Sequence, residues 1–90
     1  MHFKVEHIET FISIYESSRH LIRGFDGCEH VELLRDENNP AIFFTFSRWL
    51  STAHLEAYRQ SDIFNGVWAR TKVLFDDKPQ AWTVKEVNFP

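Results

Sequence analysis

The chain has 90 residues, of which 43% are hydrophobic and 26% are charged, and its formal net charge is −3. This is the length of one small domain, residues 1–90, and a negative chain without a Lys/Arg run argues against a nucleic-acid partner. The single cysteine, Cys28, excludes an intramolecular disulfide and favours a reducing compartment, for which we predict the cytoplasm. No apolar run reaches about 18 residues and no signal peptide opens the chain, so no membrane association is predicted.

The first third of the chain predicts a strand end, a helix and a second strand. Residues 1–5 are interpreted as the end of a first strand. Residues 6–23 have apolar side chains at helical spacing, and Arg19 interrupts that apolar face. The apolar positions are Ile8, Phe11, Ile12, Tyr15 and Ile22. Gly24 is suited to end this helix, and residues 29–35 are predicted to form a strand.

Residues 40–49 predict the central strand, which a turn at residues 36–40 joins to the preceding strand as a hairpin. Side chains alternate between the two faces of a strand. One face carries Ile42, Phe44, Phe46 and Arg48, and the other carries Phe43, Thr45, Ser47 and Trp49. Both faces therefore present large apolar groups. The helices of a 90-residue chain can cover only one of them, so we predict a homodimer in which a second sheet covers the other.

The last part of the chain predicts two helices and a final strand. Ser51 is suited to cap a helix over residues 52–60. Ser61 or Asp62 is suited to cap a second helix that extends to about residue 75. Residues 80–87 are predicted as a strand with Trp82 and Val84 on one side. The element order (β)-α-β-β-α-α-β predicts a ferredoxin-like α+β fold, an antiparallel sheet with helices on one face.

Several side chains are candidates for a binding or catalytic site, because an aromatic content of 16% suits a pocket for a flat organic ligand. His54 and Tyr58 lie one helical turn apart, and histidine is suited to act as a base. Trp68 lies on the apolar face of its helix. The alternatives for these three residues are a partly exposed helix histidine, a core or interface tyrosine with its hydroxyl at the rim, and a packing tryptophan. The predicted substrate-binding residues are Arg19, Tyr15, Phe44 and Phe64.

Five segments together resemble the antibiotic biosynthesis monooxygenase (ABM) family, and the similarity extends over about residues 3–84. They are Gly27-Cys28, residues 32–36, residues 43–49, residues 55–64 with the pattern Leu-x-x-Tyr-Arg-x-Ser-Asp-x-Phe, and residues 68–75 with the pattern Trp-x-x-Thr-Lys-x-Leu-Phe. The resemblance implies a dimeric α/β barrel, with two sheets face to face and a pocket between each sheet and its own helices. Members of the family oxidise quinol- or anthrone-like aromatics with O2 and no cofactor, or degrade haem.

Two departures from the family pattern shape the functional prediction. The first strand looks truncated, since members usually begin several residues earlier. Tyr58 stands where the haem-degrading branch has a tryptophan, and Trp68 stands at its axial histidine position, where indole cannot ligate iron. Five scattered histidines without a His-x-x-x-His spacing also argue against a metal site. We therefore predict neither metal nor cofactor.

The leading functional prediction is a cofactor-independent monooxygenase that oxidises a small aromatic with O2, with His54, Tyr58 and Trp68 at its catalytic site. One alternative is a non-catalytic dimeric module that binds a hydrophobic small molecule. Another is a lyase or isomerase that uses the same pocket.

Overall fold

Three helices and a two-stranded hairpin make up the regular structure of the computed structural model, which describes residues 1–87. The helices are α1 (Ile8–Arg23), α2 (Thr52–Arg59) and α3 (Asp62–Lys72). The strands are β1 (Cys28–Arg35) and β2 (Phe43–Trp49). A single 3-10 turn, Val5–His7, leads into α1. The predicted hairpin and all three predicted helices are therefore present.

The helices begin and end where the sequence supplies capping groups. The Gly24 N–H donates to the His20 carbonyl at the end of α1. The Ser51 hydroxyl accepts from the His54 N–H at the start of α2, and the Ser61 hydroxyl accepts from the Phe64 N–H at the start of α3. Each cap satisfies a backbone group that the helix itself leaves unpaired. Several boundaries differ from prediction. The helix α3 ends at Lys72, so residues 73–75 leave it, and α1 and β2 begin later than predicted, at Ile8 and Phe43.

The hairpin is antiparallel, and short segments from both ends of the described chain extend its sheet. Leu34 pairs with Phe44 across the hairpin. On the other side of β2, His2 pairs with Ile42, and Phe3 in turn pairs with Phe75. The spatial order is thus β1, β2, residues 1–3 and residues 74–76. The chain has a ferredoxin-like α+β fold built on an antiparallel sheet.

The two faces of β2 differ sharply in exposure. Phe43 is 2% exposed and packs on Phe11, with 5.2 Å between their ring centroids, whereas its neighbour Phe44 is 49% exposed. The buried core consists of Phe3, Phe11, Tyr15, Phe43 and Leu74. The helices therefore cover the face of the sheet that carries Phe43, and the face that carries Phe44 is uncovered in the single chain.

The strand predicted for residues 80–87 is wrong. These residues are exposed and have no strand pairing. The last sheet-like bond in this region runs from the Asp76 N–H to the His2 carbonyl, at 2.8 Å. A strand needs a neighbouring backbone to pair with. Residues 1–3 are the only neighbour that the described chain offers there, and their pairing is complete at residue 76.

No helix within residues 1–87 combines the length and the apolar character needed to cross a membrane.

Candidate functional site

A cluster of aromatic rings fills the space between the end of the hairpin and helices α2 and α3. Tyr58 lies at its centre and is buried. Its ring stacks on Trp49 of β2, with centroids 5.0 Å apart and an interplanar angle of 27°. Phe25 and Phe64 meet Tyr58 edge-on, each at 5.4 Å. Offset-stacked and edge-on contacts are the favoured geometries of aromatic pairs, so three rings hold Tyr58 in one orientation.

The aromatic cluster continues along α3 towards an open groove. Phe64 and Trp68 are one turn apart on the helix, and their ring planes are nearly parallel, at 7°, with 6.1 Å between centroids. Trp68 then meets Phe75 at 5.5 Å. A groove of about 480 Å³ begins at these two rings, and Lys72 and residues 76–79 line its remaining walls. Trp68 thus connects the buried cluster with a surface depression large enough for a small aromatic ligand.

The Tyr58 hydroxyl is a neutral hydrogen-bond donor in these surroundings. Burial raises the pKa of Tyr58 to about 12, and the nearby Cys28 thiol adds a smaller effect in the same direction. Within residues 1–87 this hydroxyl makes no hydrogen bond to the protein. A desolvated, protonated phenol can donate to an oxygen atom that gains negative charge during a reaction.

A second tyrosine, Tyr15 of α1, lies on the core side of the cluster. Burial raises the pKa of the Tyr15 hydroxyl, while the positive charge of Arg19, one helical turn further on, opposes that rise. Cys28 influences both tyrosines, and its Sγ contacts the His30 carbonyl at 3.6 Å. The guanidinium-bearing Arg19 is itself exposed. Arg19 therefore lies on the exposed surface of α1, one helical turn from the buried Tyr15.

His54 lies at the rim, with both ring nitrogens directed at polar neighbours. Its Nδ1 is 2.6 Å from the Ser51 hydroxyl, and its Nε2 is 3.8 Å from the Asp26 carboxylate. The Ser51 oxygen also accepts from the backbone N–H of His54. Gly27 permits this arrangement, because its φ of 85° is left-handed and a Cβ there would overlap the imidazole ring.

The structure brings together some of the predicted site residues and separates others. Tyr58, Phe64 and Trp68 form one continuous aromatic wall. Phe44 lies on the opposite face of the sheet, so it is not part of the space between sheet and helices. Two further rings of the cluster, Trp49 and Phe25, were not among the predicted site residues. Strand alternation already puts Trp49 on the Phe43 face, and that signal was sufficient to find it.

No group of three His, Cys, Asp or Glu side chains that could hold a metal ion occurs in the part of the chain that the structure describes.

Comparisons with known proteins agree with this architecture. The family model described as "Antibiotic biosynthesis monooxygenase" matches residues 1–68. A crystal structure of an antibiotic biosynthesis monooxygenase has a TM-score of 0.90 at 17% identity and covers 97% of this chain and 92% of its own. A protein from Bordetella bronchiseptica has a TM-score of 0.85 at 20% identity, with 98% and 91% covered. A conserved protein from Methanosarcina mazei Go1 has a TM-score of 0.82 at 19% identity, with 86% and 76% covered.

No curated protein matches the sequence. The structural likenesses, all at or below 20% identity, establish the fold, and the family model covers well over half of the chain. The chain therefore belongs to the antibiotic biosynthesis monooxygenase family.

Proposed function

We propose that this protein is a cofactor-independent monooxygenase that oxidises a small quinol- or anthrone-like aromatic with O2. The observation that carries the proposal is Tyr58, whose ring is buried among aromatic side chains and whose hydroxyl has no hydrogen-bond partner in residues 1–87. It lies in an aromatic cluster that leads, through Trp68, to an open groove. An aromatic substrate would bind beside Tyr58 within this cluster, and the groove at Trp68 and Phe75 would be its entrance. A cytoplasmic location, suited to the single cysteine, completes the proposal.

The proposed reaction needs no metal or flavin. A base removes a proton from the acidic CH2 or phenol group of the substrate, and the resulting anion passes one electron to O2. The substrate radical and superoxide then join through a new C–O bond, which gives a peroxide. Loss of the second proton and cleavage of the O–O bond turn an anthrone CH2 into a carbonyl, with water as the other product. One O2 thus supplies one oxygen atom to the substrate and one to water.

Tyr58 stabilises charge on oxygen in this scheme, and His54 is the proposed base. The phenol of Tyr58 would donate a hydrogen bond to the substrate oxyanion or to the developing peroxide. His54 lies one helical turn before Tyr58. Its imidazole presents Nε2 to a substrate once it turns away from the Asp26 carboxylate, which is exposed and 3.8 Å distant. Arg19 and Tyr15 would contact polar groups of the ligand from α1.

A homodimer is part of the proposal. The uncovered face of the sheet presents a row of large apolar side chains, among them Leu34 at 45% exposure, Phe44 at 49% and Phe46 at 42%. A contiguous apolar patch of this kind is typical of a surface that another protein covers. A second copy offers the same patch, so two sheets packed face to face would bury both.

The polar contacts of the His54 ring favour a second candidate function, a non-catalytic dimeric module that binds a hydrophobic small molecule. With the Ser51 hydroxyl beside Nδ1 and the Asp26 carboxylate beside Nε2, both ring nitrogens already have polar neighbours. A site without an available base can still bind an aromatic ligand. Binding without turnover would identify this function.

The test is O2 consumption with a panel of hydroquinones, naphthalenediols and anthrones, without added metal or flavin. Tyr58→Phe keeps the ring and removes the hydroxyl, so we expect kcat to fall by about 10²-fold, the usual effect of losing one donor to an oxyanion. His54→Gln should lower kcat to a similar extent. Trp68→Phe should raise KM, whereas the matched control Trp82→Phe, at an exposed position, should change neither constant.

The outcomes separate the two candidate functions. Enzyme-dependent O2 uptake that falls in Tyr58→Phe supports the oxygenase. Uptake that is equal in wild type and Tyr58→Phe removes the proposed site. Saturable ligand binding, followed by tryptophan fluorescence, without any O2 uptake supports the binding module and contradicts the oxygenase.

A further inference from the structure

The side chain of Cys28 lies on the helix-covered face of the hairpin, on the same side as Tyr58. Cys28 begins β1 and pairs with Trp49, the last residue of β2. Directly paired residues of an antiparallel sheet project their side chains to the same face. Trp49 stacks on Tyr58, and Cys28 is 6% exposed. The single cysteine of the chain therefore belongs to the wall of the aromatic cluster around Tyr58.

Hydrogen bonds hold Cys28 in this position. Its N–H donates to the Phe25 carbonyl at 3.0 Å, and its carbonyl accepts from the Arg23 guanidinium at 2.7 Å. The thiol itself contacts the His30 carbonyl at 3.6 Å, where it acts as a weak donor. This contact occupies the thiol proton and leaves the lone pairs of the sulfur free. The backbone thus presents a nucleophilic atom at a fixed place in the cluster.

Two buried tyrosine hydroxyls near Cys28 have no partner. Tyr58 is 9% exposed and Tyr15 is 8% exposed, and within residues 1–87 neither hydroxyl makes a hydrogen bond to the protein. In the same residues, Nδ1 of His7 is the only side-chain N or O atom that is both fully enclosed and unpaired. The two phenol oxygens therefore reach open space although their rings are buried. Burial is the main cause of the raised pKa of each tyrosine, and the charge of an ionised Cys28 adds to both rises.

Unpaired donors beside a nucleophile indicate the chemistry of a ligand. The hydroxyls of Tyr15 and Tyr58 can donate to acceptor oxygens, and the aromatic side chains around Tyr58 suit a flat ring. The sulfur of Cys28 can attack an electron-poor carbon. A quinone combines these three features, because it has a flat ring, two carbonyl oxygens and ring carbons that are conjugated with them. A phenol or a carboxylate lacks the electron-poor carbon.

We propose that Cys28 is a covalent modification site for quinones, which accept hydrogen bonds from Tyr58 and Tyr15. A bond forms between Sγ and an unsubstituted ring carbon, and an electron pair of the ring moves to the conjugated carbonyl oxygen. That oxygen takes the thiol proton, and the hydrogen of the attacked carbon moves to the second oxygen. The quinone is thereby reduced to a hydroquinone thioether without a further oxidant or reductant. The Tyr58 hydroxyl stabilises the negative charge that develops on oxygen during the attack.

Capture of a quinone by Cys28 is a reaction separate from the proposed oxidation. A quinone formed from a quinol in the cluster would meet the thiol. The addition itself consumes no O2 and proceeds equally with a quinone supplied from solution. It is therefore expected whether or not the protein is an oxygenase.

Anaerobic labelling with 1,4-naphthoquinone tests the site. The 90-residue protein is incubated with this probe under nitrogen, and intact-protein mass spectrometry follows the adduct. We expect one adduct per chain, formed at a rate that saturates with probe concentration because binding precedes bond formation. Cys28→Ser should form at least tenfold less adduct, because a hydroxyl is a weak nucleophile at its ordinary pKa.

Tyrosine variants separate a binding site from ordinary thiol reactivity. Tyr58→Phe and Tyr15→Phe keep the rings and remove one donor each, so each should lower the labelling rate about tenfold. Iodoacetamide is the matched control probe, since it reacts with a thiol by displacement of iodide and develops no charge on a quinone oxygen. Its rate at Cys28 should be the same in wild type and both variants, which shows that the exposure of the thiol has not changed.

Three results would overturn the proposed modification. Labelling of the urea-unfolded chain but not of the folded protein would show that the fold encloses the thiol. Labelling that does not saturate and is unchanged in both tyrosine variants would show an ordinary thiol without a binding site. An adduct that persists in Cys28→Ser would place the bond on another residue. None of these results depends on O2 uptake, so failure at Cys28 is distinguishable from failure of the proposed oxygenase.

Discussion

The ring of Trp49, the last residue of β2, stacks on the ring of Tyr58 in α2, with centroids 5.0 Å apart. This contact fixes the helix to the end of the hairpin. It also shields the Tyr58 side chain from water, which is the cause of its raised pKa. A packing contact between a strand end and a helix thereby holds the phenol in place where the proposed chemistry needs a donor.

Tyr58 should make stability depend on pH in the alkaline range. Its pKa rises from 10.0 to about 12 on folding, so the unfolded chain loses this proton first. The folded chain then binds more protons than the unfolded chain, and the free energy of unfolding falls as pH rises from 10 towards 12. Two pKa units correspond to about 2–3 kcal/mol. This stabilisation is fully present below pH 10 and is lost above pH 12.

Urea unfolding of wild type and Tyr58→Phe at pH 9 and pH 11.5 measures this effect. Phenylalanine keeps the stacking on Trp49 but cannot ionise, so the difference in stability between the two proteins should change by about 2 kcal/mol between the two pH values. Subtracting the free energy of unfolding of Tyr58→Phe from that of wild type removes the contributions of all other titrating groups. A difference that stays constant with pH would mean that Tyr58 is not desolvated by folding.

Gly27 should not tolerate a side chain. Its φ of 85° lies in the left-handed region, and a Cβ would overlap the imidazole of His54. We expect Gly27→Ala to lower the free energy of unfolding by about 1–3 kcal/mol, the usual cost of a strained backbone position. The ring of His54 should also move, and its NMR signals report that movement.

Gly66 provides the matched control for the same substitution. It lies inside α3, where a Cβ would meet no atom within 4 Å. Alanine favours helix interiors over glycine by about 0.5–1 kcal/mol, so Gly66→Ala should stabilise the protein. Chemical denaturation measures both variants. Equal effects at the two glycines would contradict the arrangement of Gly27 against His54.

The sequence predicted the elements whose signal is local. Helical spacing of apolar residues located α1. Alternation in β2 identified two apolar faces; the face that carries Phe43 is covered, and the face that carries Phe44 is not. Residues 80–87 have a strand-like pattern, but pairing depends on a neighbouring backbone, which the pattern of a segment does not reveal. The orientation of His54 was equally hidden, because it follows from the conformation of Gly27 in a different turn.

The first residues of the chain should be essential to the core. Phe3 is 1% exposed and stacks on Phe11 with centroids 4.1 Å apart. Phe3→Ala leaves a cavity among aromatic rings, so we expect a loss of about 3–5 kcal/mol in the free energy of unfolding. Val73→Ala, at a position 65% exposed, should change stability by less than about 0.5 kcal/mol. A small effect of Phe3→Ala would contradict the placement of residues 1–3 in the sheet.

The uncovered face of the sheet should control dimerisation. Phe46 lies on that face, opposite Glu32 in the hairpin, and is 42% exposed. When two sheets pack together, the face that carries Phe46 loses its contact with water in both copies. Phe46→Glu would place a charged side chain on that face, where its desolvation is unfavourable. We expect the dimer dissociation constant to rise at least about 100-fold, which is about 2.7 kcal/mol, in analytical ultracentrifugation.

The same substitution at an exposed position outside the hairpin separates a specific interface from a general effect of charge. Val73 follows the last residue of α3 and is 65% exposed, so Val73→Glu should leave the dissociation constant unchanged. Phe46→Glu should also remain folded, with the circular dichroism of wild type, because Phe46 is not part of the buried core. If Phe46→Glu dimerised as tightly as Val73→Glu, the apolar face of β2 would not be the surface on which two copies meet.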